Sequence, residues 1–292
     1  MCQELIYTRE GFIHTPWGRL WYGIAGTGMK PPLLTLHGGP GGPHYYFMRS
    51  IGELVDERPV VFYDQLGCGR SDRPTDTSLW TAERFAEELA MVVRELDLTA
   101  FHVWGHSWGT ALAVLYALTQ PQGLRSMTLA SPILDISTYR RDVTNLLARQ
   151  PQEVEEALRT QPLDPSEYLA ALEHFYHCHV YTADTWDACT LKAFSAEEFG
   201  LESYVTTVGA NELSYTGNFA NRDDSARLAE IVVPTLLTCG RADLATPATS
   251  ALYQRKLPGS RLVVFENSSH WYFEEERALY LMTLRNFLRE HD

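Results

Sequence analysis

The stretch Trp104-Gly105-His106-Ser107-Trp108-Gly109-Thr110 constrains this chain more than any other. The apolar run before it, Phe101-His102-Val103-Trp104, reads as a buried strand. The small-residue run after it, Thr110 to Leu118, reads as a buried helix. A strand that turns at once into a helix forces its corner residue into a strained conformation, and neighbouring backbone comes so close that the flanking side chains must be tiny. Gly105 and Gly109 meet that demand on either side of Ser107. The turn holds the serine hydroxyl out of the sheet, above a helix N-terminus that favours negative charge. The same pattern also occurs in ordinary loops, so the weight lies on the strand before it and the helix after it.

The rest of the chain repeats the strand-then-helix rhythm. Leu5 to Ile13 and Arg19 to Ile24 alternate across Thr15-Pro16-Trp17-Gly18 and read as an opening β-hairpin. Buried strands are expected at Leu33–Leu36, Val60–Tyr63, Leu124–Leu129, Val232–Thr238 and Arg261–Phe265, with a helical stripe over Thr81–Leu96. Strands alternating with helices predict a mostly parallel sheet covered on both faces, the α/β class. From about Ile133 to Glu230 no buried strand is legible. Helices are expected instead around Tyr139–Arg149, Pro151–Thr160, Pro165–Val180 and Thr185–Tyr204. Residues 1–132 and 231–292 are therefore expected to form the core, and 133–230 an inserted helical cap. A last helix, Phe273–Arg289, is expected to pack Leu281, Leu284 and Leu288 inward.

Composition narrows the partners. The 292 residues are 45% hydrophobic and 21% charged, ordinary values for a chain with a sizeable core. The net charge is −13 and no Lys/Arg cluster occurs, which argues against nucleic acid or an anionic membrane as partner. No apolar run reaches membrane-spanning length, and Met1-Cys2-Gln3-Glu4 lacks the features of a secretion signal. Five cysteines lie scattered at positions 2, 68, 178, 189 and 239, without a C-x-x-C spacing. An odd, scattered set does not suggest a disulfide framework, and a reducing cytoplasm is expected.

A serine nucleophile needs a base, and the base an orienting acid. In a parallel α/β sheet the site lies beyond the carboxyl ends of the strands. Asp243 follows the strand ending at Thr238-Cys239-Gly240, and His270 follows the strand ending at Phe265, so both reach the edge that carries Ser107. Their chain order is Ser, Asp, His. Ser107 is expected to attack, His270 to shuttle the proton and Asp243 to fix the imidazole tautomer. Asp135, after the preceding strand, is the rival acid, and Asp243 has an alternative reading as a helix cap. His37-Gly38-Gly39-Pro40-Gly41 leaves backbone N–H groups bare after a strand. The amides of Gly39 and Trp108 are expected to form an oxyanion hole. His174, His177, Cys178 and His179 resemble a metal cluster, but only His174 and His177 share a helical face and no carboxylate set completes a site; cap packing is expected. Cys68 is expected to pack rather than react. The chemistry requires neither metal nor organic cofactor.

His37-Gly38-Gly39-Pro40-Gly41, Asp64-Gln65-x-Gly67-x-Gly69-x-Ser71, Gly105-x-Ser107-Trp108-Gly109, Gly240-x-x-Asp243 and Ser269-His270 together resemble the proline iminopeptidase family, nearly from end to end. Within it, the chain is similar to the tricorn-interacting aminopeptidase and the amino-acid amide hydrolases. The resemblance implies an α/β-hydrolase fold and a cytosolic serine exopeptidase or amidase acting through an acyl-enzyme. It also implies that Tyr204 and Gly209-Ala210-Asn211-Glu212 form a cap motif in which Glu212 binds the substrate ammonium, with Gly38 against the substrate. In the tricorn-interacting type a second such glutamate follows the catalytic acid; here that position is Leu244.

The expected activity is release of an N-terminal residue, proline or another, from short peptides. Alternatives are an amino-acid amidase, esterase or lactonase, and, from another class, a non-catalytic binding protein of the same fold. Trp108, Trp186, Tyr204 and Tyr215 are candidates for an apolar pocket lining.

Overall fold

The computed structural model describes residue 2, residues 5–160 and residues 165–292; positions 1, 3, 4 and 161–164 of the predicted core and cap ranges lie outside the described residues. Eight strands form one sheet: β1 (Tyr7–Thr15), β2 (Gly18–Ala25), β3 (Leu33–Leu36), β4 (Val60–Tyr63), β5 (Phe101–His106), β6 (Leu124–Ala130), β7 (Thr235–Gly240) and β8 (Arg261–Phe265). Their order across the sheet is β1-β2-β4-β3-β5-β6-β7-β8. The hairpin β1–β2 and the β2–β4 pair are antiparallel, and every pair from β4 to β8 is parallel.

Alternate side chains on these strands point to opposite faces, and both faces are packed. Leu34, Leu36, Val61, Tyr63, Val103, Met127 and Leu237 enter one apolar cluster; Leu33, Val60, Phe62, Trp104 and Ala130 enter the other. The first cluster is covered by α2 (Ala82–Glu95), α3 (Trp108–Ala117) and α9 (Pro247–Lys256). The second is covered by α1 (Tyr45–Ile51), α10 (Tyr272–Glu275) and α11 (Arg277–Glu290). That two-sided burial explains why β3, β4 and β5 read as continuous apolar runs rather than as an alternation.

Between β6 and β7 the described chain is helical: α4 (Ile136–Leu147), α5 (Gln152–Thr160), α6 (Pro165–His179), α7 (Ala188–Ala193) and α8 (Leu201–Thr207). The single helix expected over Thr185–Tyr204 is broken in two. Carbonyls that a continuous helix would use internally are taken by the core: Gly69 N donates to Glu198 O at 2.8 Å, and Arg73 donates to the carbonyls of Glu197, Glu198 and Phe199. The expected last helix also begins earlier, at Tyr272, and breaks at Glu276.

The cysteine expectation is corrected. Cys2 and Cys189 form a disulfide, with Cα atoms 4.4 Å apart across 187 residues of sequence. Helix α7 packs beside α1, which brings Cys189 to the amino-terminal segment; no spacing rule could reveal a pair made by tertiary packing. The cysteines therefore lend no support to a reducing compartment. Among the described residues no helix is long and apolar enough to cross a membrane.

Candidate active site

The carboxyl ends of β3, β5, β6, β7 and β8, consecutive in the sheet, deliver five loops to one edge. At the end of β5, Ser107 adopts φ 53°, ψ −119°, and its amide donates to Ala130 O at 2.9 Å. The glycines on either side are steric requirements. A Cβ on Gly105 would lie 2.2 Å from Gly109 O, and one on Gly109 would lie 2.2 Å from Leu36 O. Contacts that short to backbone cannot be relieved by side-chain rotation. The elbow therefore stands where the sequence places it.

Asp243 and His270 meet. His270 Nδ1 lies 2.7 Å from Asp243 Oδ1, and the carboxylate is buried. Asp243 accepts two further bonds: Ala245 N–H to Oδ1 at 2.7 Å and Ser131 Oγ–H to Oδ2 at 2.6 Å. The carboxylate is thus fully oriented, with one face of Oδ1 turned to the imidazole. Ser131 sits directly after β6 with φ 52°, and its hydroxyl is also 3.1 Å from His270 O. Sequence reasoning missed it; the only signal was its place at the end of the strand beside the elbow. The two rival readings separate cleanly. Asp135 caps α4 through Ser137 N at 2.9 Å, and the cap of α9 is Thr246, which accepts from Thr249 N.

The loop that carries His270 is clamped from two sides. From α10 and the break after it, Glu275 accepts from Ser269 N at 2.6 Å and Glu276 accepts from Asn267 N at 2.9 Å and Ser268 Oγ at 2.7 Å. From α6, His179 O accepts from His270 N at 3.2 Å, while His179 Nδ1 donates to Ala242 O at 2.7 Å. Burial lowers the His179 pKa from its ordinary value, consistent with a neutral ring that also accepts from Gln150 Nε2 at 3.0 Å. Of the α6 cluster, His179 supplies this clamp whereas His174 and His177 are exposed instead of packed, and no group of metal-binding residues exists among the described residues. Gly240 lets the β7 and β8 loops touch: a Cβ there would sit 2.1 Å from Ser269 O.

After β3, His37 is buried and neutral. Burial brings its pKa down to about 4; Nε2 accepts from Gln65 N at 2.9 Å, and Nδ1 donates to Gly38 O at 3.0 Å. Gln65 Nε2 donates to His37 O and Gln65 Oε1 accepts from Trp108 Nε1, each at 3.0 Å, so a side-chain amide bridges the glycine loop and the elbow. The Trp108 ring packs between Phe85 and Phe219 in the core, not in the cavity wall as a pocket lining would require. The amides of Gly39 and Trp108 have no acceptor among the described residues. The amide of Gly38 donates to Tyr46 Oη at 2.8 Å, so Gly38 borders the cavity through its surface alone. Burial pushes the Cys68 thiol well up, and it packs against His37.

A cavity of about 700 Å³ opens over this edge, bordered by Gly38, Gly39, Ser107, Leu244 and His270 below and by Tyr204, Glu212 and Tyr215 from the helical insertion. Trp186, Phe194 and Trp271 form its aromatic wall. No hydrogen bond joins Ser107 Oγ to the His270 ring among the described residues; such contacts are often long in free enzymes and tighten with substrate. Glu212 stands in the turn after α8 rather than at an exposed helix end. Its Oε2 accepts from Tyr204 Oη at 2.5 Å, and among the described residues no basic side chain pairs with it. Burial, reinforced by the Glu212 charge, raises the phenol pKa values of Tyr139, Tyr176, Tyr204 and Tyr215 and keeps them neutral around it. A carboxylate ringed by phenols and lacking a countercharge is arranged to receive a cation.

Comparison with known proteins agrees with this architecture. The profile of the alpha/beta hydrolase fold matches residues 31–277. The proline iminopeptidase of Heyndrickxia coagulans is 38% identical over 288 residues, 97% of this chain and 99% of the relative. That of Clostridium botulinum is 34% identical over 292 residues, again 97% and 99%. Among solved structures, VinJ superposes with a TM-score of 0.92 at 30% identity, covering 98% of this chain and all of its own. The proline iminopeptidase of Mycobacterium smegmatis gives 0.89 at 28% identity, covering 97% and 98%. Similar to these relatives over almost its entire length, the chain belongs to the proline iminopeptidase family of α/β-hydrolases.

Proposed function

We propose that this protein is a serine aminopeptidase that releases an N-terminal residue, proline among those admitted, from short peptides through an acyl-enzyme. One observation carries the reading. His270, paired with Asp243 at 2.7 Å, borders the same cavity as the strained Ser107 and as Glu212, whose carboxylate meets no basic side chain among the described residues.

With its Nδ1–H committed to Asp243, the neutral imidazole has Nε2 free to take the Ser107 proton as Oγ attacks the scissile carbonyl. The unspent amides of Gly39 and Trp108 then receive the oxyanion. His270 returns the proton to the departing amine, and a water activated by the same imidazole hydrolyses the acyl-enzyme. Glu212, supported by Tyr204, holds the substrate's free amino end and thereby fixes which carbonyl reaches Ser107. Residues 133–230 act as the cap that carries this anchor, over a core of 1–132 and 231–292. No cofactor enters these steps, and the cytoplasm is the proposed compartment.

Leu244 favours a second reading. It stands in the cavity wall directly after Asp243 and leaves Glu212 without a second carboxylate. A pocket so apolar also suits an amino-acid amide, an ester or a lactone. Amino-acid anilides with free and with acetylated amino groups separate the two. The aminopeptidase reading predicts preference for the free amine, largely lost in Glu212→Ala. Equal rates on both forms would leave only the small-molecule hydrolase.

A further inference from the structure

Two buried residues beside the site are unaccounted for by this chemistry. Tyr46 on α1 and His106, the residue before Ser107, are 3% and 2% exposed. They join two of the converging loops. Gly38 N–H donates to Tyr46 Oη at 2.8 Å; Tyr46 Oη and His106 Nδ1 are 2.8 Å apart; His106 Nε2 lies 3.3 Å from the backbone oxygen of His270. The polarity of this chain follows from its two ends. A backbone amide can only donate and a carbonyl can only accept. Tyr46 therefore spends its single proton on His106 Nδ1, and His106 carries its own proton on Nε2, aimed at His270 O. Burial, together with the neighbouring His270, drives the His106 pKa well below its ordinary value and keeps the ring neutral. A phenol held up by burial likewise stays protonated.

We propose that Tyr46 and His106 are positioning residues: a three-bond relay of fixed direction that locks the glycine loop, the elbow and the His270 loop into one reactive arrangement. The proposal rests on the serine reading above. Tyr46 acts by accepting from Gly38 N–H and donating to His106 Nδ1; without it both groups lose their partner, and the ring that donates to His270 O is no longer held in place. The imidazole rings of His106 and His270 are 4.6 Å apart, so a displacement there reaches the proton-transferring ring directly. A misplacement of about 1 Å in such a constellation costs on the order of a hundredfold in rate.

Amide substitutions at position 106 dissect the relay. The glutamine nitrogen reaches roughly the place of Nε2 and keeps the donor to His270 O; the asparagine oxygen reaches that of Nδ1 and keeps only the acceptor for Tyr46. The readouts are the rate of fluorophosphonate labelling and the kcat and KM on an aminoacyl anilide, normalised by titration of active sites. The relay predicts that Tyr46→Phe and His106→Asn each lower the labelling rate and kcat by roughly tenfold to a hundredfold with KM within about twofold. His106→Gln keeps most activity. Tyr46→Phe added to His106→Gln then costs much less than in the wild-type background, because the glutamine donor to His270 O does not depend on Tyr46 and only the anchor of Gly38 N–H is lost. Equal rates for the Gln and Asn variants, or an undiminished Tyr46→Phe loss in the Gln background, would overturn it. Should Tyr46→Phe not fold, the Gln-against-Asn comparison decides alone. Failure of the wild type to label at all sinks the serine reading; normal wild-type labelling with indifferent variants sinks only the relay.

Discussion

The hydrogen-bond pattern around Asp243 makes an unusual forecast for Asp243→Asn. Two fixed donors, His270 Nδ1–H and Ala245 N–H, converge on Oδ1, whereas among the described residues Oδ2 meets only the rotatable hydroxyl of Ser131. An amide must therefore keep its oxygen at Oδ1. Its NH2 group falls on Ser131 Oγ, which can turn to accept it and donate instead to His270 O, 3.1 Å away. Geometry and tautomer survive, and only the charge is lost. The loss is bounded above by about 4 kcal/mol, the attraction of unit charges at about 4 Å with an effective dielectric near 20. It is bounded below by about 1 kcal/mol, the difference between hydrogen bonds to charged and neutral acceptors. Acylation, followed as the burst with an activated amino-acid ester, should slow between about fivefold and a thousandfold, with the melting temperature nearly unchanged. A loss of about 10⁴ or more, the scale associated with a wrong imidazole tautomer, would show that the amide has turned its NH2 to His270. An undiminished burst would show that the carboxylate takes no part.

Gly240→Ala drives a Cβ to 2.1 Å from Ser269 O and should displace the His270 loop, lowering kcat/KM by about tenfold to a hundredfold together with the melting temperature; wild-type kinetics would refute the stated contact. Asp292→Ala strips the buried Arg58 guanidinium of its carboxylate, 2.7 Å away, and should cost toward the lower end of about 3–5 kcal/mol, measured by denaturant unfolding. The same pair sets an acid limit. Burial alone would raise the Asp292 carboxyl, but Arg58 and Lys30 outweigh it and hold it below its ordinary 3.8. Its stabilisation is thus present above the unfolded value and is lost as pH falls through the lower folded one, so the variant's deficit should shrink below pH ~4. A deficit independent of pH would assign the loss to packing.

The legibility of this chain divides along physical lines. All eight strands announce themselves: β1 and β2 as an alternating hairpin, and inner strands such as Val60–Tyr63 and Leu33–Leu36 because burial on both faces demands an apolar run. The elbow is legible because two backbone contacts admit only glycine at 105 and 109. The meeting of Asp243 with His270 follows from topology, since both end neighbouring parallel strands. What escapes the sequence is whatever depends on partners distant in the chain. Cys189 finds Cys2 only once α7 lies beside α1. The break before Leu201 arises because core loops and Arg73 capture the carbonyls of residues 197–199. Ser131, His179, Glu275 and Glu276 carry ordinary strand-end or helix signatures, and their grip on the loops around Asp243 and His270 appears only in three dimensions. Trp108 reads as a pocket aromatic and proves to be core, because its position fixes the backbone amide and not the ring.

The central claim is that the hydroxyl at the strained turn becomes acylated by substrate. Acid-quenched turnover of an amino-acid ester, analysed by intact-mass and peptide mass spectrometry, tests it most directly. The account predicts a transient mass increment equal to the amino-acyl group, confined to the peptide carrying Ser107 and missing in Ser107→Ala. Steady turnover with no acyl adduct on that peptide, or an adduct on another residue, would contradict it.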